Sequence, residues 1–126
     1  MICFISGHLN LSEQEFQEHY APRIDRALAL GATFVVGDAR GADAMAQLYL
    51  KLKGANSTVY HMFESPRHNA GFATKGGFRN DSERDAAMTL DSTEDLAWIR
   101  PGREKSGTAK NLKRRAARQD SESRSR

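Results

Sequence analysis

Residues able to do chemistry concentrate in three short stretches, and the first sets the pattern. Gly37-Asp38-Ala39-Arg40-Gly41-Ala42-Asp43 follows the β-branched apolar run Thr33-Phe34-Val35-Val36. It precedes a segment in which Ala42, Met45, Ala46 and Tyr49 fall on one helical face. Glycines at 37 and 41 allow a sharp turn and leave no side chain between backbone N–H groups and a ligand. A strand, a glycine loop and a helix start aim bare amides and the positive helix end at one point, which suits a phosphate. The same glycines also serve any tight α/β turn. Asp38 could bond sugar hydroxyls or simply close the turn, and Asp43 could offer a carboxylate or cap the helix. Arg40 could clamp a phosphate with both prongs of its guanidinium, or brace the loop against Asp38 or a neighbouring strand.

The second stretch, Glu83-Arg84-Asp85-Ala86-Ala87-Met88, sits in a helix for which Asn80, Asp81 and Ser82 are good caps. The third, Pro101-Gly102-Arg103-Glu104-Lys105-Ser106-Gly107-Thr108, is a basic loop before the last helix. Outside them, His8 follows Gly7 at the end of the first apolar run, where it could contact a ligand, transfer a proton or bond to backbone. Arg67, Lys75 and Arg79 are interleaved with Phe63, Phe72 and Phe78, which could stack a base and hold its phosphates. The alternative is a loop that docks its own phenylalanines into the core. The four histidines and Cys3 show no metal-ligand spacing, so neither metal nor cofactor is expected. Ser6-Gly7-His8 lacks the G-x-S-x-G turn of a nucleophilic serine.

The elements that must position these groups alternate in type. Ile2 to Ser6 reads as a strand holding a buried Cys3 thiol, and Ser12 with Glu15 as a capping box. Phe16, Tyr20, Ile24 and Leu28 form a helical stripe that Pro22 interrupts, predicting a kink or two abutting helices. Thr33 to Val36 is the second strand, followed by a helix to about Lys53; Thr58 to Met62 is the third. From Phe63 to Asn80 periodicity is lost, and the stretch reads as a lid-like loop. A helix to about Leu90, a fourth strand at Leu96 to Ile99 and a last helix from Thr108 to about Arg118, with Leu112 and Ala116 inward, complete the chain. Alternating strands and helices predict an α/β, three-layer sandwich around a mostly parallel sheet of four to five strands, in the order three-two-one-four. Ligands of such sheets sit at the carboxyl ends of strands where the order reverses, between strands one and four here. The loops at Gly7, Gly37 to Asp43 and Pro101 to Thr108 then converge on one cleft.

In this order the three stretches resemble the SLOG superfamily, a Rossmann-like group that includes DprA-like proteins and the LOG cytokinin-activating phosphoribohydrolases. Gly37 to Asp43 looks like the GGARGAD loop of its small members, Glu83 to Met88 like the E-R-x-x-x-M helix of LOG enzymes, and Pro101 to Thr108 like a P-G-G-x-G-T loop lengthened by two residues. The resemblance implies a nucleotide or nucleoside-monophosphate ligand, phosphate at Gly37, Gly41, Gly107 and Thr108, and Arg84 near the ribose. LOG-like members commonly dimerise, and the resemblance leans toward a homodimer. Two departures stand out: Lys110 occupies the place of the catalytic glutamate, and Arg103 replaces the second glycine of P-G-G. Cleaving an N-glycosidic bond needs a carboxylate near the anomeric carbon. Among Asp38, Asp43, Glu83, Asp85 and Glu104, the resemblance favours Glu83, with Asp43 as the alternative.

At 126 residues, with 39% apolar and 28% charged, the chain is long enough for one core. It divides into a domain over 1–118 and a disordered polar tail over 119–126. The net charge is only +3, most of the excess lying after Arg100. Global basicity is thus a poor argument for nucleic-acid binding. Lys110, Lys113, Arg114, Arg115 and Arg118 form a basic helix face that solvation explains most cheaply, with nucleic acid or an acidic partner as the alternative. Met1-Ile2-Cys3-Phe4-Ile5 is too short for a signal peptide and no run has membrane-spanning length, so a cytoplasmic protein is expected. The reading is a nucleotide-binding cleft that hydrolyses an N-glycosidic bond, or else a non-catalytic sensor or sequestering module with the same cleft; a third reading, which resemblance to DprA-like proteins permits, is nucleic-acid binding through the last helix and tail.

Overall fold

In the computed structural model, which describes residues 1–124, the apolar runs become the strands β1 (Ile2–Ser6), β2 (Thr33–Gly37) and β3 (Ser57–Met62), joined by β4 (Ala73–Phe78) and β5 (Glu94–Ala97). They form one parallel sheet ordered β4-β3-β2-β1-β5. The predicted order therefore stands, with one more strand outside β3. Side chains alternate across it. Cys3, Ile5, Phe34, Val36, Val59 and Leu96 pack on one face with α1 (Glu13–His19), α2 (Ala21–Ala29) and α3 (Ala42–Leu52). Phe4, Val35 and Tyr60 face α4 (Asp81–Asp91) through Met88, and α5 (Gly107–Arg124) covers β5 beside α4. The result is a helix–sheet–helix α/β sandwich of Rossmann-like form. Among the described residues no helix is long and apolar enough to cross a membrane.

Local chemistry explains the junctions. Ser12 and Glu15 cap α1 reciprocally, Ser12 Oγ accepting from Glu15 N at 3.1 Å and Glu15 Oε1 accepting from Ser12 N at 2.9 Å. Pro22 opens α2, so the stripe splits into two abutting helices at Tyr20. The Tyr20 side chain is fully buried, and its hydroxyl donates to Ser6 O (2.7 Å) and accepts from Trp98 N (3.1 Å). One phenol thereby ties the carboxyl end of β1 to that of β5.

Four expectations need correction. The stretch from Phe63 to Asn80 is not all loop, because Ala73–Phe78 pairs with β3 as an edge strand. It carries no alternating apolar signal because only Phe78 is partly covered, stacking on Tyr60, while the His61 ring lies where a side chain on Gly76 would go. The strand read at Leu96 to Ile99 starts two residues earlier, since Glu94 already pairs with Cys3, and it ends where Trp98 N turns to Tyr20. The polar tail begins as helix, α5 continuing to Arg124, while 125–126 lie outside the described residues. Within α5 Leu112 is half-buried but Ala116 is exposed; Thr108, Ala109, Asn111 and Arg115 turn inward.

Candidate functional site

The carboxyl ends of β1, β2 and β5, with the first turns of α4, enclose a cleft of about 420 Å³. The order reverses between β1 and β5, so their loops part to opposite faces and leave a gap between them. Gly7 and His8 line it from β1, Arg40 and Asp43 from the β2–α3 turn, and Arg84, Asp85 and Met88 from α4. Arg103, Gly107, Thr108 and Asn111 complete the wall. The predicted convergence of three loops holds, and α4 adds a fourth wall.

The glycines of the first stretch are needed for packing rather than left bare for a ligand. Gly41 has φ +74°, and a Cβ there would overlap the backbone carbonyls of His8 and Leu9. That close approach lets Ala42 N donate to His8 O at 3.1 Å, joining the β1 loop to the start of α3. A side chain on Gly37 would strike the Asp43 carboxylate and the Arg84 guanidinium, and one on Gly7 the Tyr20 hydroxyl. Gly107 differs, since a Cβ there would meet nothing within 4 Å.

Beneath the cleft, Asp38 is almost fully buried and does not face it. It accepts from Arg67 N (2.8 Å), Arg67 Nη2 (2.9 Å) and Arg84 Nη1 (2.8 Å). Arg40 takes no part, so the bracing role considered for it falls to Arg67 and Arg84. Burial pushes the Asp38 carboxyl up, but the hydrogen bonds and charges of Arg67 and Arg84 outweigh it and bring the group to about 2. Arg84 is itself held by Asp85 (Nη2–Oδ1 2.9 Å) and Asp81 (Nη1–Oδ1 3.1 Å). Asn111 Nδ2 donates to the other Asp85 oxygen at 3.1 Å.

Asp43 is the carboxyl that this arrangement leaves poised. It accepts from Ala39 N at 3.2 Å. Burial pushes it up to about 7, Asp85 and Asp38 adding to the rise while Arg84 and the Ala39 N–H oppose it. A carboxyl at that value carries its proton in part near neutrality.

No family model, curated protein or solved structure matches this chain.

Glu83, favoured by the resemblance, is not part of the cleft wall. It sits on the exposed side of α4, accepting from Arg79 N at 3.1 Å and Arg79 Nε at 3.3 Å. One helical step decides this: with Arg84, Asp85 and Met88 facing inward, position 83 must turn out. His8 is buried, and its Nε2 accepts from Arg100 N at 2.8 Å. Burial first, then the charges of Arg100 and Arg103, push it below its ordinary value against the pull of Glu15. The ring is therefore neutral, with its proton on Nδ1. Arg100 in turn grips Glu15 through two bonds of 2.7 and 2.9 Å, fastening the β5–α5 loop to α1.

Of the aromatic and basic groups between Phe63 and Asn80, only Arg67 reaches the cleft. Phe63 is exposed, Phe72 packs on the larger core cluster, and Lys75 pairs with Asp91. What fastens this stretch is Gln47, a fully buried α3 residue that sequence patterning passes over. Its amide nitrogen donates to Gly37 O (2.9 Å) and His68 O (3.2 Å), and its oxygen accepts from Ala70 N (2.8 Å). Asn111 also escapes notice in the sequence, and Asp81 is read there only as a cap; it precedes Asp85 and Met88 at i+4 and i+7, a one-face spacing that points to the wall. Among the described residues no cluster of His, Cys, Asp and Glu could hold a metal ion.

Proposed function

We propose that the cleft binds a nucleotide-derived small molecule and hydrolyses the N-glycosidic bond of a nucleoside monophosphate. The observation that carries this reading is Asp43, a buried carboxyl that lines the cleft and is held near 7. In its neutral form it can hand a proton to the departing base as the bond from nitrogen to the anomeric carbon breaks. As a carboxylate it can take a proton from the water that adds to the sugar. Asp43 replaces Glu83 in that role, and Asp85 adds negative charge to the same wall. Phosphate falls to Arg40 and Arg103, which line the cleft and make no ion pair among the described residues, with Gly107 and Thr108 at the start of α5. A volume of about 420 Å³ suits one ligand of that size. The SLOG-like motifs supply independent support, and with them goes the homodimer that the resemblance implies.

The binding-only reading also has an observation in its favour. Of the three carboxyls in the cleft wall, Asp81 and Asp85 are committed to Arg67, Arg84 and Asn111, so Asp43 is the one left for chemistry, and Lys110 is exposed where LOG enzymes place glutamate. Incubation with a panel of nucleoside monophosphates, assayed for released base and for a thermal shift, separates the two. Hydrolysis predicts base release that Asp43→Asn abolishes while the shift persists. A shift with no release from any substrate establishes the sensor instead. A ligand at a hundred times its dissociation constant adds about 2.7 kcal/mol of stability, well within such a scan.

A further inference from the structure

We propose that the His8 ring is a fixed phosphate donor, its Nδ1–H bonding a phosphate oxygen of the bound ligand while its Nε2 holds the loop that carries Arg103. This assignment rests on the reading of the cleft as a nucleoside-monophosphate site. The two ring nitrogens have different tasks. Nε2 accepts from Arg100 N at 2.8 Å, which leaves the proton of the ring on Nδ1. Nδ1 has no partner among the described residues, yet it is not one of the enclosed unpartnered atoms, such as His68 Nε2 and Thr89 Oγ1. The residue is only 3% exposed and lines the cleft, so Nδ1 opens there. An N–H without a protein acceptor, on a ring otherwise buried, is a donor left for a ligand.

The ring is also held still. His8 O accepts from Ala42 N (3.1 Å) and Leu11 N (3.3 Å), and Trp98 stands edge-on to the ring with centroids 6.0 Å apart. Turning the imidazole over would leave Arg100 N without its acceptor. A donor fixed before the ligand arrives loses little freedom on binding.

Its neighbours select the charge of the acceptor. Arg100 to Arg103 form a turn, with Pro101 second and Gly102 third at φ +87°, closed by Arg103 N donating to Arg100 O at 3.0 Å. The bond from Arg100 N to His8 thus anchors the turn whose far end is Arg103, a cleft residue that holds no carboxylate among the described residues. Thr108, 4% exposed and in the same wall, has a hydroxyl without a partner among the described residues that is likewise not enclosed. Burial and the charges of Arg100 and Arg103 outweigh Glu15 and keep the ring uncharged, so it donates from Nδ1 alone. A guanidinium, an imidazole N–H and a hydroxyl suit the several oxygens of a phosphate.

Imidazole-nitrogen NMR on the full chain tests this, first with inorganic phosphate and then with AMP, GMP, CMP and UMP. The free protein should show His8 protonated at Nδ1 and bare at Nε2, and phosphate should move the Nδ1 signal. His8→Gln keeps an acceptor for Arg100 N but removes the donor. It should bind phosphate and monophosphates about 10- to 100-fold more weakly, with the circular dichroism spectrum unchanged. His8→Asn, which restores a donor at the Nδ1 position, should recover part of that loss. A proton on Nε2, a His8 signal that phosphate and all four nucleotides leave in place, or equal affinity in His8→Gln overturns the proposal. Phosphate that moves the His8 signal in a protein unresponsive to all four nucleotides upholds the donor and removes the nucleotide reading alone. Should His8→Gln fail to fold, the tautomer and the phosphate titration of the native protein still decide.

Discussion

At the scale of single residues, proton chemistry and steric space make separate predictions. The folded-state value of Asp43, raised to about 7 from 3.8, means that it favours folding below about pH 4 and withdraws that support as the pH rises through 7. Asn keeps an acceptor for the Ala39 N–H but has no charge to bury. Asp43→Asn should therefore melt above the native protein at pH 8, by a margin that narrows toward pH 5; thermal melts at the two values decide it. The glycines divide differently. Gly41→Ala forces a side chain into two backbone carbonyls at φ +74°, and should cost more than about 2 kcal/mol in urea unfolding. Gly107→Val enters open space in the cleft wall and should change stability by less than about 1 kcal/mol while abolishing the nucleoside-monophosphate shift. A stable Gly107→Val protein that still binds would remove the phosphate from that loop.

At the scale of elements, Tyr20 is the hinge pin between helix and sheet. Tyr20→Phe leaves Ser6 O and Trp98 N without their buried partner, a loss of about 1 to 3 kcal/mol, to be read by urea titration of Trp98 fluorescence. How far such joints can be read from sequence depends on whether a signal is local. The capping box, the split at Pro22 and the apolar runs of β1, β2 and β3 follow from residues a few positions apart, and all are visible in the sequence. β4 is not, because its partner is another strand and its covering contact is the His61 ring. The site shows the same division. Asp43, Arg84 and Gly107 stand out by type and position, but whether Glu83 or Asp85 faces the cleft turns on two helical steps of about 100° each. Gln47 and Asn111 gain their roles only when segments distant in sequence meet.

At the scale of the whole molecule, two groups of carboxyls pull stability in opposite directions. Asp38 and Glu15, both held at about 2, contribute above the ordinary carboxylate range and lose that contribution as the pH falls through 2. Glu15 owes its depression first to its Arg100 hydrogen bonds. Asp43 works the other way, its support declining from about pH 4 to 7, so the melting temperature should be highest near about pH 4 to 5 and fall toward pH 7, a profile that circular dichroism melts across pH 2 to 9 will trace. A maximum on the alkaline side would mean that Asp43 is not buried as described. The sheet also has to end somewhere. On its β4 side, Lys75 sets a charge on the outermost strand, Gly77 at φ +90° breaks its extended run, and the register slips between Tyr60 and Met62. An incoming strand would find neither a straight backbone nor an uncharged flank to pair with, so this border guards the molecule against edge-to-edge aggregation.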